Sequence, residues 1–143
     1  MLEVPDEHPD KLLHRDITEK IIGSAFEVYN ELGYGFLERV YERSMQVELI
    51  KRGSTAEIEK RVQVQYKQVV VGDYDSDLIV DSCVLVELKV NPQYDRRDEA
   101  QLLNVLKATG IRVGLLVNFG RLKVEYKRLV FSSVFIRGRT SFR

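Results

Sequence analysis

The chain has 143 residues, 44% apolar and 31% charged, with a formal net charge of zero. That length and balance fit one globular domain with a sizeable core, and the neutral charge excludes a global positive field for nucleic acid, so any such binding must come from a local patch. The one cysteine, Cys83, excludes an internal disulfide and, within an apolar run, reads as a small core residue.

Residues 1–15 carry Glu3, Asp6, Glu7 and Asp10 with Pro5 and Pro9, and read as an irregular arm. They form neither a signal peptide nor a membrane span, which points to the cytoplasm and to no membrane partner. His8 and His14 read as surface or arm residues. Asp16 followed by Glu19 has the spacing of a capping box. Ile17, Ile21, Ala25 and Val28 then recur at helical spacing, up to a stop at Gly33. A link at Tyr34 and Gly35 leads to a second helix from about Phe36 to Arg52, with Leu37, Val40, Tyr41 and Val47 on its buried side and Gly53 at its end. The two helices are expected to form a hairpin on a sheet.

From about Glu57 the period changes to two. Val62, Val64 and Tyr66 alternate with Arg61, Gln63 and Gln65, a half-exposed strand. Val69 to Val71 continue after a turn near Lys67, and Gly72 with Asp73 is expected to break the run. After a polar loop from Asn91 to Arg97, a third helix is predicted over 98–109, closed by Gly110. Ile111 to Phe119 reads as a central strand, parallel to the one before the helix, and Leu122 to Phe131 as a strand near an edge. The domain therefore spans 16–131, ahead of a basic tail at 132–143 with Arg137, Arg139 and Arg143. The fold class is mixed α/β, a sheet flanked by helices.

The stretch from Asp77 to Lys89 organises the rest. Leu78, Ile79 and Val80, then Cys83 to Val86 and Leu88, make two apolar strand segments joined by a turn at Asp81 and Ser82. Strand residues alternate faces, so Glu87 and Lys89 share one and Leu88 takes the other. A three-residue loop, Asp81 to Cys83, would set Asp77 opposite Glu87; a two-residue loop would turn it away. Two carboxylates brought together on an apolar sheet suit a hard divalent cation, and a neighbouring ammonium can hold a water or offset developing charge. The plain alternative is a Glu87–Lys89 ion pair at a strand end. Asp73, Asp75 and Asp81 read as turn formers, with Asp75 sharing the strand parity of Asp77.

Asp77 followed by Glu87-Leu88-Lys89 resembles the signature of the PD-(D/E)XK nuclease superfamily. Gly35-Phe36-Leu37-Glu38-Arg39-Val40-Tyr41 matches the GxxExxY motif of one family within it, and Glu99 to Asn104 and Thr109 to Gly120 hold further matching stretches. The resemblance covers about Leu12 to Val130. It implies a restriction-endonuclease-like fold and phosphodiester hydrolysis, with magnesium, or else manganese, as cofactor. It also implies metal ligands at Asp77 and Glu87, the Leu88 carbonyl as a candidate third, and Lys89 as the water-positioning base. Glu38 resembles the helical acid that approaches the same metal, and Gln101 the catalytic glutamine of the exonuclease-like branches. Ser76 stands where the signature has proline, and Val105 where those branches often carry tyrosine. Read without the motif, Glu38 is an acid favoured in the first turn of a helix, Tyr41 a core residue, and Gln101 a solvated one.

Two functions follow from different classes. One is a metal-dependent nuclease acting on nucleic acid, DNA ahead of RNA, with a homodimer left open. The other is a catalytically idle binding or interaction module that keeps the fold, favoured by neutral charge and Val105. Lys51, Arg52, Arg96, Arg97, Lys107 and Arg112 are candidate phosphate contacts, though their spacing singles out no groove.

Overall fold

The computed structural model describes residues 13–132. The arm with His8, and the tail with Arg137, Arg139 and Arg143, lie outside the described residues.

Helix α1, Arg15–Leu32, begins one residue before Asp16, so Asp16 cannot cap it. His14, at φ 55°, stands at the cap, and its carbonyl takes the Thr18 N–H at 3.0 Å. The helix ends as predicted at Gly33, whose φ of 73° favours a residue without a Cβ. Helix α2, Glu38–Lys51, starts later than predicted because Leu37 is extended. Its buried stripe is Tyr41, Glu42, Met45 and Leu49, while the predicted Leu37 and Val47 are 78% and 55% exposed. Tyr41 anchors the inward face, residues four and eight further on follow it, and Glu42 is drawn in beside them.

Strand β1, Ala56–Ile58, pairs antiparallel with β4, Leu78–Val80. Strands β2, Arg61–Tyr66, and β3, Val69–Asp75, form a separate hairpin through Lys67 and Gln68, both at positive φ. Gly72 and Asp73 do not break β3: Gly72 pairs with Val64, and an irregularity between Val64 and Gln65 absorbs the extra residue. β5, Val84–Lys89, leads to helix α3, Arg97–Thr109, then β6, Val113–Phe119, and β7, Val124–Val130. The main sheet runs β1-β4-β5-β6-β7, with β5 and β6 parallel, as the crossover predicts, and β7 at an edge.

Both faces of the sheet are covered. Helices α1 and α2 cover one, burying Ile21, Tyr41, Met45 and Leu49 against Leu78, Val86, Leu88 and Phe119. On the other, Leu102 and Leu106 of α3 pack on Ile79, Leu85 and Leu116, with Val62 and Tyr74 of the hairpin alongside. Each of these leucines stabilises the fold by roughly 1.5–3 kcal/mol. A Cβ on Gly114 would meet Leu106 at 3.1 Å, which is how closely α3 lies on β6. Among the described residues no helix is long and apolar enough to cross a membrane.

Candidate active site

The β4–β5 register decides the loop. Val80 pairs with Val84 and Leu78 with Val86, so the link is the three-residue Asp81–Cys83, and Asp81 and Ser82 hold it at φ of 51° and 60°. Asp81 Oδ1 accepts the Thr55 N–H at 2.8 Å and ties the turn to the chain before β1.

Strand β4 stops while β5 runs on to Lys89, so residues 87–89 have no strand beside them on that edge. Asp77 takes the vacant place: its Oδ2 accepts the Leu88 N–H at 2.8 Å, as a ladder carbonyl would. A strand residue directs its N–H and C=O to the same edge, so the Leu88 carbonyl projects toward Asp77 as well.

Glu38 enters from α2. Tyr41 stacks on Phe119 at 4.3 Å, donates its hydroxyl proton to the Gly33 carbonyl at 2.5 Å and accepts the Phe36 N–H at 3.4 Å. One buried ring thus fixes both the link and the first turn of α2 that carries Glu38. Gly35, at φ 116°, lets the link bend.

Glu38 and Asp77 line one cleft, Asp77 is bonded to the residue after Glu87, and the charges of the three acids act on one another. Burial, then repulsion and a hydrogen bond from Asp77, raise Glu38 from its ordinary value to about 7, against the opposing pull of Lys89. Burial and the Asp77 charge raise Glu87 to about 7, with the Tyr74 hydrogen bond and Lys89 pulling the other way. Burial raises Asp77, while the Leu88 N–H and Lys89 favour its charged form. Lys89 makes no ion pair among the described residues, so the plain Glu87–Lys89 pair of the sequence reading does not form; its charge acts on all three acids together.

Other expected residues lie apart. Gln101 is exposed on α3, and no hydrogen bond among the described residues joins it to the acids. Asp75 lines the same cleft as Glu38 and Asp77 but sits exposed on the separate hairpin, paired with Arg61 at 2.9 Å. Arg52 and Arg97 are held by Glu48 and Asp95. Three residues escaped the sequence reading. Tyr74 donates its hydroxyl proton to Glu87 Oε1 at 2.5 Å, across from the hairpin. Glu42 and Glu59 stand by Asp77 and Glu38, and burial with the Glu59 carboxyl raises Glu42 to about 8. Only the half-buried parity of Tyr74 with Val62 hinted at any of these.

Among the described residues, no group of three or more His, Cys, Asp or Glu side chains stands ready-arranged to hold a metal. Hydrogen bonds occupy one oxygen of Glu87 and one of Asp77, and Glu38 and Asp77 bond each other. The donor set nonetheless fits a hard divalent cation: it is all oxygen, partly buried and mutually repelling, which is the condition a cation relieves.

A mixed five-stranded sheet between helices, with an aspartate before one strand and Glu-x-Lys at the end of the next, defines a nuclease-type α/β fold. A family model described as the PD-(D/E)XK nuclease superfamily matches residues 15–129, and the chain belongs to that superfamily. The crystal structure of SSO0001 superposes with a TM-score of 0.50 at 14% identity, over 91% of this chain and 66% of that one. That likeness bears on the fold alone, and the chain spans just under two thirds of that protein. An alkaline exonuclease (LHK-Exo) from Laribacter hongkongensis gives a TM-score of 0.40 at 10% identity, covering 87% of both chains, too distant a likeness to bear on the fold. No curated protein matches the chain at a significant level.

Proposed function

We propose that the protein is a metal-dependent nuclease that hydrolyses phosphodiester bonds of DNA, or else of RNA, as a GxxExxY-type member of its superfamily. The supporting observation is the meeting of Asp77, Glu87, Glu38 and Lys89 where β4 and β5 part company. Asp77 and Glu87, with the Leu88 carbonyl and Glu38, would hold magnesium or manganese, which when bound polarises the phosphate and makes water more acidic. Lys89 Nζ positions the attacking water and offsets the negative charge that grows on the phosphorus oxygens. Tyr74 fixes the rotamer of Glu87. Gln101, exposed on α3, is left to contact the bound strand.

The test is magnesium-dependent cleavage of labelled single-stranded, duplex, branched and RNA substrates. Lys89→Ala and Glu87→Gln should both lose it; cleavage equal to the parent's refutes the proposal. Calorimetry separates the second reading: no magnesium or manganese binding up to millimolar concentration is the signature of an idle module.

A further inference from the structure

The main sheet ends differently on its two sides. β1, at one edge, is three residues long and offers little to pair with. β7, at the other, runs seven residues in unbroken register on β6, with no proline, glycine or bulge. Its outer side pairs with no strand among the described residues. A straight edge of that length presents a row of free N–H and C=O groups, which soluble proteins interrupt or cover.

The order of charges along β7 is self-complementary. Glu125 and Lys127 flank Tyr126 and share the α3 face with Leu129, and neither forms an ion pair among the described residues. In an antiparallel pair of identical strands, a two-fold axis at Tyr126 sets Glu125 opposite the partner's Lys127, and Lys127 opposite the partner's Glu125. An axis at either flanking residue would instead set that charge against itself. A lysine on an edge ordinarily repels a second strand, but here its complement lies two places earlier on the same face.

The opposite face carries a second feature at the same place. Tyr126 lies edge-to-face with Phe26 of α1, ring centres 6.3 Å apart at 88°, and the two remain 45% and 50% exposed. Aromatic rings left so open beside an unpaired edge gain burial when a partner covers both, and an axis at Tyr126 sets this pair against its own copy.

We infer that the protein forms a symmetric dimer in which the β7 edges of two copies pair antiparallel about Tyr126, joining their five-stranded sheets into one. On the α3 face, Glu125 and Lys127 bridge the seam; on the α1 face, Phe26 and Tyr126 of each copy close over it. β6 separates β7 from β5, so the dimer engages none of Asp77, Glu87 and Lys89 and does not rest on the nuclease reading.

Sedimentation of the full chain at micromolar concentration, beside Glu125→Lys, Lys127→Glu and the variant with both changes, tests the pairing and its register. The parent should run as a dimer. Each single variant should dissociate about tenfold more readily, because it sets like charges opposite one another at both symmetric positions. The double variant should recover the dimer, since exchanging the two charges keeps every pair across the axis. The two single variants mixed in equal amounts should also dimerise, one with the other. Lys127 is exposed, so Lys127→Glu answers even if Glu125→Lys fails to fold. A monomeric parent overturns the inference. So does a dimer that both single variants keep at full strength, or a double variant that melts like the parent yet stays monomeric.

Discussion

Replacing Glu87 with glutamine should make the metal-free protein more stable at pH 8 while removing its activity. Glu87 and Glu38 each rise from 4.5 to about 7 on folding. Between those values the folded state holds protons that the unfolded chain has released, so stability falls as pH rises from about 4.5 to about 7, and Glu42, raised to about 8, carries the fall somewhat further. For the better buried Glu87 the rise is worth roughly 3 kcal/mol, and for the more exposed Glu38 about half that after solvent screening. Because the two acids feel each other, the joint loss is nearer 3 than 5 kcal/mol, a fall in Tm of about 10 °C. The assay is thermal unfolding from pH 4.5 to 8 in chelator, for parent and Glu87→Gln. The variant should lose part of the pH dependence, Glu38 and Glu42 keeping the rest, and melt higher than the parent at pH 8 by the equivalent of about 2 kcal/mol. Magnesium should raise the parent's Tm more at pH 8 than at pH 5, because it binds the ionised carboxylates. A parent whose Tm in chelator is flat or rises over this range refutes the reasoning, as does a Glu87→Gln protein that declines just as steeply.

Tyr74→Phe removes the hydrogen bond that helps hold Glu87 ionised, so its pKa should climb further; the acid limb of the pH–rate profile should move to higher pH, with little change in Tm. Tyr41→Phe keeps the ring on Phe119 but abandons the Gly33 carbonyl and Phe36 N–H; a loss of about 1 kcal/mol in urea unfolding is expected, together with slower cleavage as Glu38 loses its support. Gly114→Val forces α3 away from β6 against Leu102 and Leu106, and should cost about 1–3 kcal/mol in the same measurement while leaving the ends of β4 and β5 in place.

The apolar runs made the sheet legible. Leu78 to Val80, Val84 to Val86 and Val113 to Val117 are each buried on both faces, and near-continuous apolar runs leave a chain few other places to go. The helix hairpin and its stop at Gly33 were legible for similar reasons, but the buried stripe of α2 was not. Its phase is set by Tyr41 finding Phe119, a contact 78 positions away along the chain, and the inward turn of Glu42 follows from the same phase. Gly72 misled because a turn residue and a residue opposite a bulge look alike in one sequence. Of the site, Asp77, Glu87 and Lys89 lie within thirteen residues and strand parity links them. Tyr74 and Glu59 reach it from elements whose packing no local pattern records.

The odd-numbered link between β4 and β5 makes this part of the gene behave as if it had a reading frame of its own. Loss or gain of one residue among Asp81, Ser82 and Cys83, with the strands still paired, would exchange the two faces of β4 and point Asp77 at the layer of α1 and α2. A change of two would restore its aim. Length variation at this turn should therefore be tolerated in pairs, and a single-codon deletion should disable the protein as surely as losing Asp77 itself.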